Sequence, residues 1–286
     1  MARLGENRYG KSRVRLSRIT RASGPSGSSD LHDFNEWTVG VLLHGDFESS
    51  FTEADNSKLL PTDTMKNTVY SLARGSSAAT IEEFAMELGD YLLRNNPQVS
   101  KAAIEIHEKC WERISIEGHP DATTFKLGGP ESQTVQAERE RDGGWAITSG
   151  VDGLTILKTT KSAFTGYIKD RLTTLKPATD RIFGTRATIK WDYVSATQKF
   201  SEVRARIIAA LLKEFAAHDS MSVQHTLFDI GKAALAVAPE IARIHLTMPN
   251  LHHLLADLSP FGQDNPNHIF VPIDEPHGYI EATIER

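Results

Sequence analysis

At 286 residues the chain is long for one simple core and comfortable for two domains of ordinary size. Its 32 basic and 37 acidic residues leave a net charge of −5, which excludes a general affinity for nucleic acid. The longest wholly apolar runs, Ile207 to Leu212 and Ala233 to Ala238, are far shorter than the roughly 18 residues a membrane-crossing helix needs, and the one cysteine, Cys110, excludes an intrachain disulfide and fits a reducing compartment.

The arginine-containing N-terminus has no apolar stretch of the secretory type, and the chain ends Ile284-Glu285-Arg286, unlike a peroxisomal address, so a cytoplasmic location is expected. Lys11-Ser12-Arg13-Val14-Arg15-Leu16 alternates strictly. A strand here places Lys11, Arg13 and Arg15 on one face and Ser12, Val14 and Leu16 on the other. The basic face is either solvated or the lining of a cavity. Ala22 to Ser29 reads as a flexible loop. Trp37, Val39, Val41 and Leu43 then mark one face of a second strand, and the two strands make a hairpin.

In Leu60 to Tyr70, the residues Thr62, Asp63 and Thr64 are all helix-capping types. Met65, Val69 and Leu72 follow at helical spacing, and Gly75 can end the helix. This start serves either simple capping or the binding of an anionic ligand at a positive helix end. Thr80 with Glu83 forms a capping box for a second helix, which turns Ile81, Phe84, Leu88 and Tyr91 inward and stops at Asn95-Asn96-Pro97. Ala102 to Ile114 is compatible with strand or helix. The alternation of Ala102, Ile104 and Ile106 favours a strand, paired with a return strand near Thr134 to Glu138. Asp142-Gly143-Gly144 is a turn.

The pattern then repeats. Trp145 to Lys158 reads as a strand, and Phe164 to Ile182 as a long irregular connection. Ala187, Ile189, Trp191 and Tyr193 alternate with Arg186, Thr188, Lys190 and Asp192 as a clear strand. Val203, Ile207, Leu211 and Phe215 mark one helix, and Val223 to Val237 holds another. Arg243 to Met248 is a strand stopped by Pro249, and Leu251 to Leu258, His268 to Val271 and Tyr279 to Ile284 are extended. The order strand–strand–helix–helix–strand–strand thus occurs twice. Helices grouped on one face of an antiparallel sheet give an α+β architecture, with units expected at 1–143 and 144–286. The polar side of the first strand points to a water-filled interior on the other face.

Three segments carry a resemblance: Tyr9-Gly10-Lys11, Thr62-Asp63-Thr64-Met65-Lys66-Asn67-Thr68, and Met248-Pro249-Asn250-Leu251-His252-His253. With Pro260-Phe261-Gly262-Gln263-Asp264-Asn265-Pro266-Asn267 they resemble the urate oxidase (uricase) family over nearly the whole chain. The resemblance implies a tandem tunnelling fold, the T-fold. In it, sheets from two subunits close a barrel and two barrels stack as a homotetramer. It also implies oxidation of urate by dioxygen to 5-hydroxyisourate and hydrogen peroxide, with no metal and no organic cofactor.

Urate is a planar, electron-rich anion. It needs a flat apolar partner, a forked cation, amide contacts and a base. The resemblance assigns stacking to Phe164, the fork to Arg181, the opposite purine edge to Gln224 and a backbone N–H contact to Val223. Arginine suits its part because its fork matches two acceptors in one plane. Asn250 holds dioxygen and later water above the ring. Lys11, Thr62 and His252 form the proton relay. Thr62 also contacts substrate, and Asp63 beside it is counted with the substrate site while ordering the helix start. Lys11 accepts a proton only as the neutral amine, which burial or nearby Arg13 and Arg15 would favour. Removing a second proton makes urate a one-electron donor to triplet dioxygen. Each site is expected to combine Lys11 and Thr62 of one chain with Phe164, Arg181, Gln224, Asn250 and His252 of its neighbour. One departure is Leu251, where the family often has lysine. In an extended segment it points away from Asn250 and His252.

Two other readings remain open on the residues alone. A zinc-dependent pterin-type member of the same fold would use His245, His252, His253 and Cys110. No CxxC or HExxH spacing supports it, and no metal ligand is expected. A purine-binding module without chemistry would not require Lys11, Thr62 and His252.

Overall fold

The computed structural model describes residues 2–21 and 31–286, apart from the side chain of Asp274. The loop expected over Ala22 to Ser29 lies outside the described residues. The chain divides into two compact units, Met1–Gly150 with Asp192–Phe200, and Val151–Trp191 with Ser201–Arg286. The architecture is α+β, and every strand pairing described is antiparallel.

The first unit contains β1 (Tyr9–Thr20), β2 (Asp33–Gly45), α1 (Glu48–Thr52), α2 (Thr62–Gly75), α3 (Ile81–Asn95), β3 (Val99–Ile116) and β4 (His119–Glu140). The sheet order is β1-β2-β3-β4. Strand alternation sorts the residues as expected: Trp37, Val39, Val41 and Leu43 of β2 are buried. Trp37 stacks on Phe84 of α3 with ring centroids 4.9 Å apart. The capping box is formed, with the Thr80 side chain accepting from the Glu83 N–H while the Glu83 carboxylate takes the Thr80 N–H. The opposite face of the sheet is polar. Thr38, Gly40, Glu105 and His107 line a concavity of about 440 Å³ there.

Four expectations are corrected in this unit. A register shift between Lys11 and Val14 breaks the alternation of β1, so that Lys11 pairs with Val41 but Arg15 with Thr38. Val41 and Thr38 lie on opposite faces of β2, and Lys11 therefore does not share a face with Arg15. Secondly, α2 begins without a side-chain cap. Its N-cap is Pro61, which places Thr62 at the first helical position. The inward face of α2 is Met65, Val69 and Ala73, with Leu72 only half-buried. Finally, Tyr91 is 39% exposed rather than turned into the core, because the inward stripe of α3 runs on through Leu92.

β5 (Trp145–Lys158) starts in the first unit. The second unit continues with β6 (Phe183–Tyr193), α4 (Phe200–Ala217), α5 (Val223–Val237), β7 (Ile241–Thr247), β8 (Asn250–Leu255), β9 (Phe270–Gly278) and β10 (Glu281–Glu285). Here β6 neighbours β7, β7 neighbours β10, and β8 bridges β6 and β9. Val203, Ile207, Leu211 and Phe215 of α4 are buried as their spacing requires. α5 packs closely on the sheet: a Cβ on Gly231 would lie 2.7 Å from Cδ1 of Ile284.

Candidate active site

Each unit holds one part of the residue set. In the first unit the tie between β1 and the approach to α2 is Tyr9. Its hydroxyl accepts the Leu60 N–H at 2.7 Å and donates to the Leu60 carbonyl at 3.1 Å. Its ring packs edge-on against Phe47 at 4.7 Å. Tyr9 lies two residues before Lys11, and Leu60 two before Thr62, so one phenol fixes the spacing of both segments. Gly10 permits this. A Cβ there would sit 1.8 Å from the Val41 carbonyl oxygen, so no side chain fits between the strands.

Thr62 is half-buried at the first position of α2, where backbone N–H groups lack helical acceptors. Asp63 is exposed and accepts from Lys66 and from Asn67, the latter at 3.1 Å. The bond from Lys66 comes first in holding its carboxyl below the usual range, and the charge of Lys11 adds to this. Asp63 thus orders the helix start, and Lys11 lies close enough to act on it.

In the second unit Phe164, Arg181, Val223, Gln224, Asn250 and His252 line one cavity of about 320 Å³. That lies within the roughly 300–1,000 Å³ typical of small-molecule sites. The irregular connection between β5 and β6 delivers the first two. Phe164 and Ala178 exchange backbone bonds of 2.8 and 3.1 Å, and the Arg181 N–H bonds to the Ser162 carbonyl at 2.8 Å. The Arg181 guanidinium carbon sits 5.3 Å from the Phe164 ring centre. Tyr167 stacks on Phe164 at 5.0 Å with the ring planes 11° apart. Arg181 Nε is buried with no hydrogen-bond partner among the described residues. Burial draws its guanidinium below the usual range. A buried donor left unmatched beside an aromatic face is suited to an acceptor on a flat ligand.

Val223 and Gln224 open α5 behind the N-cap Ser222, whose hydroxyl accepts from the His225 N–H at 3.1 Å. Their own N–H groups precede the first helical acceptors and remain available. Asn250 is buried on β8 beside Thr185 of β6. Its amide nitrogen lies 3.4 Å from His252 Nδ1, so the two face the same side. His252 is held below its usual range first by burial, then by the charges of Arg181 and His277. It is therefore a neutral imidazole at neutral pH. Leu251 borders the cavity too, but its Cβ lies with the His253 ring on the Gly184 side of β8, away from Asn250 and His252 as expected.

The clamp of Tyr9 on Leu60 escaped the sequence reading, and so did two further features. Tyr167 backs Phe164, a contact that the spacing Phe164-x-x-Tyr167 in a non-helical segment does not announce. His218, His225 and Asp229 bring metal-ligand donors together, where none was expected. The spacing of His225 and Asp229 on α5 was the available signal. His245, His252, His253 and Cys110, the set needed for a zinc enzyme, do not form such a cluster among the described residues.

Comparison with known proteins gives a consistent result. The family model described as Uricase matches residues 7–138 and 147–281. A uricase from Arthrobacter globiformis is 40% identical over 283 residues, covering 99% of this chain and 90% of that protein. A uricase from Dictyostelium discoideum is 36% identical over 288 residues, covering 100% and 98%. The crystal structure of the Arthrobacter globiformis uricase superimposes with a TM-score of 0.91 at 39% identity, covering 100% of this chain and 96% of that one. A urate oxidase from Bacillus sp. TB-90 shares the fold, with a TM-score of 0.81 at 22% identity over 98% of this chain and 100% of that one. With a family match along both units and relatives at this identity over its full length, the chain belongs to the uricase family and is an oxidoreductase of the urate oxidase kind.

Proposed function

We propose that this chain oxidises urate with dioxygen and water to 5-hydroxyisourate and hydrogen peroxide, using neither metal nor organic cofactor in the chemistry. The observation that carries this reading is the single cavity in which Phe164, Arg181, Val223, Gln224, Asn250 and His252 meet. Urate stacks on the Phe164 ring, which Tyr167 supports from behind. Arg181 forks onto one edge of the purine, and Gln224 with the Val223 N–H holds another. Asn250 positions dioxygen, then water, above the ring. His252, neutral for the reasons given, exchanges a proton on that side. Lys11 and Thr62 complete the relay, with Asp63 ordering the helix start beside them. The second deprotonation of urate raises its reducing power, and dioxygen takes the electrons one at a time.

The assembly proposed is a homotetramer of tandem T-fold units, 1–143 and 144–286, with each active site shared by two chains. Two features support it: the residue set falls into two groups, and each group lies within a different unit. A cytoplasmic setting fits the single cysteine, and no helix among the described residues is long and apolar enough to cross a membrane.

The test follows urate absorbance, oxygen uptake and peroxide together, with protein treated with chelator and held well below its melting temperature. Urate-dependent oxygen uptake with equimolar peroxide is expected before and after treatment. No oxygen uptake, or uptake lost on chelation and restored by zinc, copper or iron, overturns the reading.

A further inference from the structure

α5 carries His225 and Asp229 four residues apart, so both side chains leave one face of the helix. His218, in the segment after α4, reaches the same point. His218 Nδ1 and His225 Nε2 each lie 3.3 Å from the same oxygen, Asp229 Oδ2. One donor atom from each residue lies within 4.8 Å of the other two. The imidazole rings are 4.5 Å apart and inclined at 63°.

The distances discriminate between explanations. A charge-assisted N–H···O⁻ bond closes to roughly 2.7–2.9 Å. Zinc bonds of about 2.0–2.2 Å at tetrahedral angles set neighbouring donor atoms roughly 3.3–3.5 Å apart. Two imidazole nitrogens, each 3.3 Å from one carboxylate oxygen, match two edges of such a tetrahedron, and the third pair lies within 4.8 Å. We propose that His218, His225 and Asp229 bind one divalent transition-metal ion of the zinc class, with solvent completing the coordination.

The surroundings agree. The His218 side chain is 8% exposed and its Nε2 has no partner among the described residues, so the ring engages polar groups only through the nitrogen that faces the cluster. Two further charges face His218: Lys158 of β5, which donates to the carbonyls of Phe215 and His218, and Glu214 of α4. They act on His218 in opposite senses. His225 is 46% exposed and opens the cluster to solvent, giving an ion its entry. The site is a brace rather than a reaction centre. It would tie the segment after α4 to the first turn of α5, the turn that presents Val223 and Gln224 to the cavity.

The experiment uses the full chain, stripped with chelator and then titrated with Co²⁺. One equivalent per chain should produce the visible absorption of tetrahedral cobalt, and Zn²⁺ should abolish it by displacement. Zn²⁺ should also raise the melting temperature. His225→Gln and Asp229→Asn, both at solvent-accessible positions and close in volume to the native residues, should each weaken binding at least ~10-fold and lose the melting shift. His252→Asn, outside the cluster, should leave both readouts intact. Cobalt uptake without tetrahedral bands, or bands that survive in both cluster variants or vanish in His252→Asn, overturns the proposal.

Discussion

Arg181 and Lys11 are expected to fail in different ways. Arg181 has an unmatched buried donor above an aromatic face, so it serves binding. Arg181→Ala removes a charged two-point contact, and KM for urate should rise roughly 10–100-fold. Lys11 belongs to the proposed relay, so Lys11→Met should lower kcat by roughly 10²–10⁴-fold with little change in KM. Steady-state oxygen uptake separates the two, and a Lys11→Met enzyme altered only in KM would remove Lys11 from the relay. His252 makes a prediction about acid. Its folded-state value is depressed by burial and by Arg181 and His277. The unfolded chain therefore takes up its proton first, and stability present above roughly pH 6.5 is lost as pH falls. Melting temperatures recorded from pH 7.5 down to 5.5 should fall less steeply in His252→Asn than in the native chain. An equal or steeper fall in the variant would contradict the linkage.

The elements that announce themselves are those whose side chains alternate between core and solvent. β6, with Ala187, Ile189, Trp191 and Tyr193 buried, was legible for that reason, and so was the start of α3 at Thr80. That capping box predicts its own cost. Thr80→Ala should lower unfolding stability by about 1 kcal/mol, seen as a lower denaturant midpoint at unchanged m-value. An unchanged midpoint would mean the cap contributes nothing. The outer part of β4, His119 to Gln133, was not legible, because most of its residues are exposed or half-exposed and burial imposes no period on them. The α2 start was read as capped, but Pro61 takes the cap position and its lack of an N–H is tolerated there. Of the site, residue types and family likeness named the members. They did not show the Tyr9 clamp or the Tyr167 support, since both depend on contacts made by non-helical backbone.

For the whole molecule, the division of the residue set between the two units has a countable consequence. If each site draws Lys11 and Thr62 from one chain and Phe164, Arg181, Gln224, Asn250 and His252 from another, two defective chains can repair each other. A Thr62→Ala chain and an Arg181→Ala chain, each nearly inactive alone, place both defects in one site of a mixed pair and none in the other. Random pairing makes half of the pairs mixed, so roughly a quarter of native sites should return. Co-expression with two affinity tags allows the mixed assembly to be isolated and its urate turnover measured. Mixed assemblies no more active than the separate variants would place the whole site within one chain.

The shift in β1 uncouples chain length from side-chain direction. Lys11 lies opposite Val41 and Val14 opposite Val39, which leaves Ser12 and Arg13 together facing Gly40. Arg13 fits only with a φ of 57°, a conformation that costs a non-glycine residue roughly 1–2 kcal/mol. Excising Arg13 would put Ser12 alone across from Gly40 and leave Lys11 where it is. A deletion, usually the harshest of edits inside a strand, should here be milder than exchanging Lys11. The chain lacking Arg13 is expected to melt no lower than the native protein and to keep its urate turnover. Conversely, one residue inserted between Lys11 and Ser12 would invert every side chain before it, Tyr9 and Lys11 included. That enzyme should lose both the Leu60 clamp and its proton relay.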